Sequence, residues 1–171
     1  KIFEKEITFN RVKFKYPSSD NLAIEVDNLS IEKNKFFGIT GSTGSGKSTF
    51  IDILIGLLTP SSGEIKIDNI EINNIDLKNW TNKIGYVPQF AFMADDTIIN
   101  NIALGLEEKN IDINRIEQVC KICEISDFIE NNLPHKYNTQ IGEDGVRLSG
   151  GQKQRLSLAR AIYKRQDLLI L

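Results

Sequence analysis

Cysteine, histidine and long apolar runs are all scarce in this 171-residue sequence, and each scarcity excludes a class of function. A structural zinc site takes four ligands, whereas Cys120, Cys123 and the single histidine, His135, supply three at most. A redox C-x-x-C pair belongs at a helix start after a strand. Here "IEQVCKICEISDFI" sets Ile116, Val119, Cys120 and Cys123 at helical spacing, so the two thiols are expected to be small core residues. His135 follows Pro134 and is expected in a surface turn. A chain of this length can bury a core without disulfide staples.

No apolar run approaches the ~20 residues needed to cross a bilayer, and the opening "KIFEKEITFN" lacks the apolar centre of a secretion leader. Nor is there an excess of one charge: 21 basic residues face 23 acidic ones, for a net charge of −2. Without a basic block, nucleic acid is disfavoured as the main partner. Lys153, Arg155, Arg160, Lys164 and Arg165 cluster on one expected helix, which predicts a solvated face. There is no internal repeat. No methionine opens the chain and it closes inside "DLLIL", a run with the character of a buried strand, so it is expected to be part of something longer.

The first third alternates like strands. "EITFNRVKFKY" and "LAIEVDNLSIE" flank the turn chemistry of "PSSDN", which predicts an antiparallel sheet. "FFGIT" then reads as a short buried strand, "GSTGSG" as a loop, and "KSTFIDILIGLL" as an apolar helix. "EIKIDN" and "KIGYVPQ" are expected strands, the second stopped by Pro88. From Thr97 to about Ile129 the period turns helical. The expected division is residues 1–89 for the β-subdomain and phosphate-loop core, 90–147 for an inserted helical subdomain, and 148–171 for a glycine-led helix and the start of a strand.

Gly41, Ser42, Thr43, Gly44, Ser45, Gly46, Lys47 and Ser48 fit G-x-x-x-x-G-K-[ST] at every fixed position. By average residue usage, such a match arises by chance in under about 1% of chains this long. The chemistry explains the pattern: glycines let the backbone approach a phosphate, and N–H groups curl round an anion at a helix start. Lys47 can reach the β- and γ-phosphates, and the Ser48 hydroxyl can ligate Mg²⁺. A second glycine-led helix start, Ser149-Gly150-Gly151-Gln152 in "VRLSGGQKQR", has no lysine among its glycines.

With "LSGGQ" about a hundred residues after the phosphate loop, the sequence resembles the nucleotide-binding domain of ATP-binding cassette (ABC) proteins over essentially its whole length. The resemblance implies an α/β fold: a P-loop NTPase (RecA-like) core with an N-terminal antiparallel β-subdomain and an inserted α-helical subdomain. It assigns Tyr16 to adenine stacking, Gly41–Ser48 with Thr49 to the phosphates, and Gln89 to the catalytic Q-loop, as a Mg²⁺ ligand beside Ser48. "LLIL" matches the Walker B strand. "TQIGEDG" (139–145) and "DDTIINNIALG" are similar to exporter-type members, the latter to bacterial flippases of lipids and lipid-linked saccharides.

The resemblance further implies ATP and Mg²⁺ as cofactors, a second nucleotide-binding domain paired head to tail and a transmembrane domain as partners, and a place for this chain at the cytoplasmic face of the inner membrane as part of a membrane transporter. Ser149, Gly150, Gly151 and Gln152 would then contact the ATP held by the opposite subunit's phosphate loop. The family's Walker B aspartate, catalytic glutamate and switch histidine have no counterpart up to Leu171, so this stretch alone is expected not to hydrolyse ATP. A soluble ABC ATPase of DNA repair or translation stays open as the alternative. A P-loop kinase or GTPase is disfavoured by "LSGGQ".

Overall fold

In β1 (Glu6–Phe14) the inward residues are Ile7 and Phe9 and then Val12 and Phe14, a change of phase that an unbroken strand cannot make. An extra residue absorbs it. Asn10 pairs with Glu64 but Lys13 pairs with Ser62, so β1 advances three residues while β3 (Ser62–Ile67) advances two. Arg11 takes a positive φ of 47° at this bulge. Gly63 opposite it has φ 82°, and a Cβ there would collide with the Arg11 carbonyl. β2 (Ile24–Glu32) pairs with β1 in one unbroken register, and its apolar residues change phase at the same place, with Val26 and Leu29 facing Val12 and Phe9, so all four apolar pairs are kept.

The computed structural model describes residues 3–171; Lys1 and Ile2, at the head of "KIFEKEITFN", lie outside the described residues. The chain divides into two compact units, Lys1–Asn82 and Lys83–Leu171. In the first, β1, β2, β3 and β4 (Ile70–Glu71) form the expected antiparallel sheet in the order β2-β1-β3-β4. Asp68 and Asn69, both at positive φ, make the tight turn between β3 and β4. The Asp68 carboxylate also accepts hydrogen bonds from the N–H groups of Glu4, Lys5 (2.7 Å) and Glu6 (3.0 Å).

Helix α1 (Lys47–Leu54) lies against this sheet through Phe50, whose ring stacks on Phe9 at 5.0 Å. It is shorter than "KSTFIDILIGLL" predicts. Gly56, at φ 84°, turns the chain after Leu54 and leaves room for the Leu77 side chain. Trp80, in α2 (Leu77–Thr81), is fully buried and its indole N–H donates to the Leu54 carbonyl at 3.0 Å. "FFGIT", by contrast, is not a strand, and Phe36, Phe37 and Ile39 are exposed. A strand exists by pairing, and among the described residues no neighbour pairs with 36–40.

The second unit joins a two-stranded parallel sheet, β5 (Ile84–Tyr86) with β6 (Leu168–Ile170), to four helices. β6 confirms the strand expected from "LLIL" but not its burial, since Leu169 and Leu171 are exposed. The helices are α3 (Ile98–Ile102), α4 (Ile113–Ile122), α5 (Ser126–Asn132) and α6 (Gly150–Tyr163). Where the 3.6 period runs unbroken through "CKICEISDFI", Glu124 adopts φ 53° and separates α4 from α5. Cys120 and Cys123 do join the core, with Ile98, Ile116, Ile129 and Leu156. Burial pushes the Cys120 thiol up to about 12, helped by Cys123, and the Cys123 thiol up to about 11. His135 is exposed in a turn, as expected. No helix among the described residues is long and apolar enough to cross a membrane.

Candidate functional site

The phosphate loop is built for close approach. Gly44 and Gly46 have φ 81° and 87°, angles that a side chain resists. A Cβ on Gly46 would collide with the Ala23 carbonyl just before β2. Gly46 is the N-cap of α1 and has no side chain to cap it, so the first-turn N–H groups are left for another acceptor. Gly41, Ser42, Thr43, Gly44, Ser45 and Ser48 are exposed. The Lys47 ammonium folds back on the loop, donating to the carbonyls of Gly41 (2.8 Å) and Ser42 (2.7 Å). A cation, a row of uncapped N–H donors and an exposed serine hydroxyl fit a phosphate chain with its magnesium ion.

Tyr16 stands just past β1, partly exposed, its ring edge-to-face with that of Phe14 at 4.9 Å between centroids. Its hydroxyl and that of Thr49 share a hydrogen bond of 3.0 Å, which fixes the phenol beside the first turn of α1. Thr49 itself is buried, its hydroxyl engaged by Tyr16. In this unit the structure brings together Tyr16, residues 41–48 and Thr49, and leaves the tyrosine ring accessible.

The second glycine-led helix start lies in the other unit and is sealed differently. Ser149 caps α6: its Oγ accepts from the Gln152 N–H at 3.3 Å, and its own N–H donates to Gln152 Oε1 at 2.7 Å. Gly150 and Gly151 are exposed, with no atom within 4 Å of where a Cβ would stand. Open space above an N-terminal turn is where an anion can settle. Gln89, also in this unit, is exposed in the loop after β5.

Past Gln89 the "FAFM" run splits. Phe90 and Phe92 are 85% and 59% exposed while Met93 is 1% exposed. The segment 139–145 lies alongside: Thr97 bridges to Gln140, the Ile141 N–H donates to the Asp96 carbonyl at 3.1 Å, and Gly145 packs on Met93. Two segments nearly fifty residues apart thus form one surface, with two bare aromatic rings.

Arg160 departs from the sequence reading. It was expected on a solvated face, yet its Nε donates to the Asn101 carbonyl (2.7 Å), Nη1 to the Phe92 carbonyl (2.8 Å) and Nη2 to Asn101 Oδ1 (3.1 Å). Burial lowers its pKa from the ordinary value. Asn101 is buried and also bonds the Ala94 N–H (2.9 Å) and carbonyl (3.0 Å). Helical spacing carried the signal: Arg160 lies at i+4 from Leu156, and Asn101 at i+3 from Ile98, both on buried faces.

A glycine-rich G-x-x-x-x-G-K-S loop opening a helix, on an α/β frame, defines a P-loop nucleotide-binding protein. The model of the family described as ABC transporter matches residues 24–171, and the chain belongs to that family, as its ATP-binding domain. It is 39% identical to the multidrug resistance-like ATP-binding protein MdlA of Escherichia coli, over 97% of this chain and 28% of that protein. It is equally 39% identical to the ATP-dependent lipid A-core flippase of Pectobacterium atrosepticum, with the same coverage. To ABC transporter B family member 13 of Arabidopsis thaliana it is 41% identical, over 96% of this chain and 13% of that one. The chain thus spans about a quarter or less of these relatives. Among solved structures, a bacterial Atm1-family ABC exporter with ATP bound superposes with a TM-score of 0.90 at 32% identity, covering 99% of this chain and 29% of the other. These relatives favour the exporter-type reading over the ATPase of DNA repair or translation.

Proposed function

We propose that this chain binds ATP with Mg²⁺ and, within a complete transporter, hydrolyses it to drive export or flipping of a substrate across a membrane. The observation that carries the reading is the phosphate loop with Lys47 folded on its own carbonyls, an ammonium and a set of N–H donors ready to exchange those carbonyls for phosphate oxygens. In this reading Tyr16 stacks on adenine, Gly41–Ser48 and the Thr49 backbone hold the phosphates, Ser48 ligates magnesium, and Gln89 is the Q-loop glutamine. The bound metal ion supplies neutralisation of charge on the phosphates.

The P-loop surrounds the phosphates on one side only, and Ser149, Gly150, Gly151 and Gln152 of a second nucleotide-binding domain supply the other. That side needs no lysine, because the nucleotide arrives already bound. Residues 1–89, 90–147 and 148–171 act as phosphate-loop core, helical subdomain and signature helix. Phe90 and Phe92, with 139–145, form the docking face for a transmembrane domain, which puts the chain on the cytoplasmic side of an inner membrane. The names of the flippase and exporter relatives support a membrane transporter as the setting. None of the 171 residues supplies the family's Walker B carboxylates, and residues 1–171 by themselves bind ATP without turning it over.

The test is paired. In the complete protein, Phe90→Ser with Phe92→Ser should abolish transport-coupled stimulation of ATP turnover and leave ATP affinity unchanged. Exposed rings contribute little to folding, so the unfolding free energy should stay within about 0.5 kcal/mol. Transport coupling that survives both substitutions refutes the docking face. Absence of ATP-dependent protection of the phosphate loop refutes the nucleotide site.

A further inference from the structure

We infer that Arg160 is a positioning residue that ties the helix beginning at Ser149 to the loop presenting Phe90 and Phe92, so that a displacement of one is carried to the other. The inference rests on the reading of Ser149–Gly151 as a nucleotide contact.

Arg160 sits on α6 eleven residues beyond the Ser149 cap, about 16 Å along the helix at 1.5 Å per residue. Its guanidinium reaches off the helix in two directions. One nitrogen donates to the Phe92 carbonyl at 2.8 Å, and two others grip the carbonyl and Oδ1 of Asn101 at 2.7 and 3.1 Å. Nη2 also lies 3.7 Å from the Met93 sulfur. Asn101 in turn holds the Ala94 N–H and carbonyl and the Thr97 carbonyl, so one guanidinium commands the loop at both ends.

Met93 anchors the loop in the core, but its main chain has little other hydrogen bonding. Among the described residues, the bond from Arg160 to the Phe92 carbonyl is the one main-chain hydrogen bond of Phe90–Met93. Packing alone does not account for an arginine here. The position continues a buried helical face with Leu156, Ala159 and Tyr163, where an apolar side chain would avoid the cost of desolvating a charge. What an apolar residue cannot do is bond two segments at once. A lysine cannot either, since its ammonium is a point charge without the planar fork. An α6 that shifts when an anion settles on its first turn therefore drags the Phe92 carbonyl with it, and the exposed rings of Phe90 and Phe92 move.

Hydrogen–deuterium exchange of the complete transporter, with and without ATP in EDTA to prevent turnover, reads both ends of the tie. In the wild type, ATP should slow exchange over 149–156 and change it over 90–97. Arg160→Lys should keep the first response and lose the second, with the KM for ATP unchanged and substrate stimulation of turnover lost. Arg160→Met, which keeps the apolar packing, should do the same and serves where the lysine variant misfolds. A merely structural arginine would lower stability and weaken both responses together. Equal responses at 90–97 in wild type and either variant overturn the inference. So does a wild type that responds at 149–156 and not at 90–97, with the nucleotide reading left intact. No response at 149–156 in the wild type overturns that reading and the inference with it.

Discussion

The hydroxyls of Tyr16 and Thr49 lie 3.0 Å apart, joining the end of the first strand to the first turn of the phosphate-loop helix across 33 residues of sequence. The bond fixes where the tyrosine ring stands relative to the loop. Ring and hydroxyl can be separated experimentally. Tyr16→Phe should cost about 1 kcal/mol of stability through the lost bond and leave ATP binding nearly unchanged. Tyr16→Ala should weaken ATP by roughly 5- to 150-fold, the scale of one base stacked on an aromatic ring. Binding titrations with labelled ATP beside thermal unfolding of each variant measure both, and equal affinities for Phe and Ala would remove Tyr16 from the site.

Lys47 donates to two loop carbonyls that a bound phosphate must displace from it. Lys47→Ala should therefore lower ATP affinity by roughly 10- to 150-fold, the 1.5–3 kcal/mol of a hydrogen bond to a charged group. Folding should change little, because these bonds lie in an exposed loop. Calorimetric titration and a melting curve decide it.

Around Gly151 there is open space, so Gly151→Asp is a test of charge and not of fit. A carboxylate in the first turn of α6 suits the helix dipole and should raise stability by about 0.5 kcal/mol. Near a γ-phosphate at about 4 Å it should cost on the order of 4 kcal/mol at an effective dielectric of 20. That is roughly a thousandfold in affinity. Mixing Gly151→Asp with Lys47→Ala subunits should restore one intact composite site per heterodimer if the signature acts across subunits. Heterodimers that bind ATP no better than either homodimer would exclude the trans arrangement.

Cys120 and Cys123 report on folding through pH. Burial raises both folded-state thiols, to about 12 and about 11, above an ordinary value of 9.0. Well below pH 9 both are protonated whether folded or unfolded, and their stabilisation is fully present. As pH climbs from about 9 towards 11 the unfolded chain ionises first, so stability should fall, by up to about 1.4 kcal/mol per pH unit for each thiol. Denaturant unfolding across that range, repeated for Cys120→Ala with Cys123→Ala, checks the slope. In the folded protein at pH 8 neither thiol should react with iodoacetamide.

The sequence by itself determined whatever depends on local chemistry. The G-x-x-x-x-G-K-S run dictates a loop before a helix, because glycine adopts the angles found at Gly44 and Gly46 without the strain a side chain would bring. The serine and glutamine of "LSGGQ" dictate a capped helix start, and the spacing of Cys120 and Cys123 dictates a core face. Tertiary structure decided what depends on partners distant in sequence. "FFGIT" is apolar enough for a strand, but pairing is a property of two segments and 36–40 has no neighbour among those described. Arg160 looks in sequence like one more charge on a basic helix. Only the fold carries the Phe92 carbonyl and Asn101, 68 and 59 residues away, to within hydrogen-bonding reach of it.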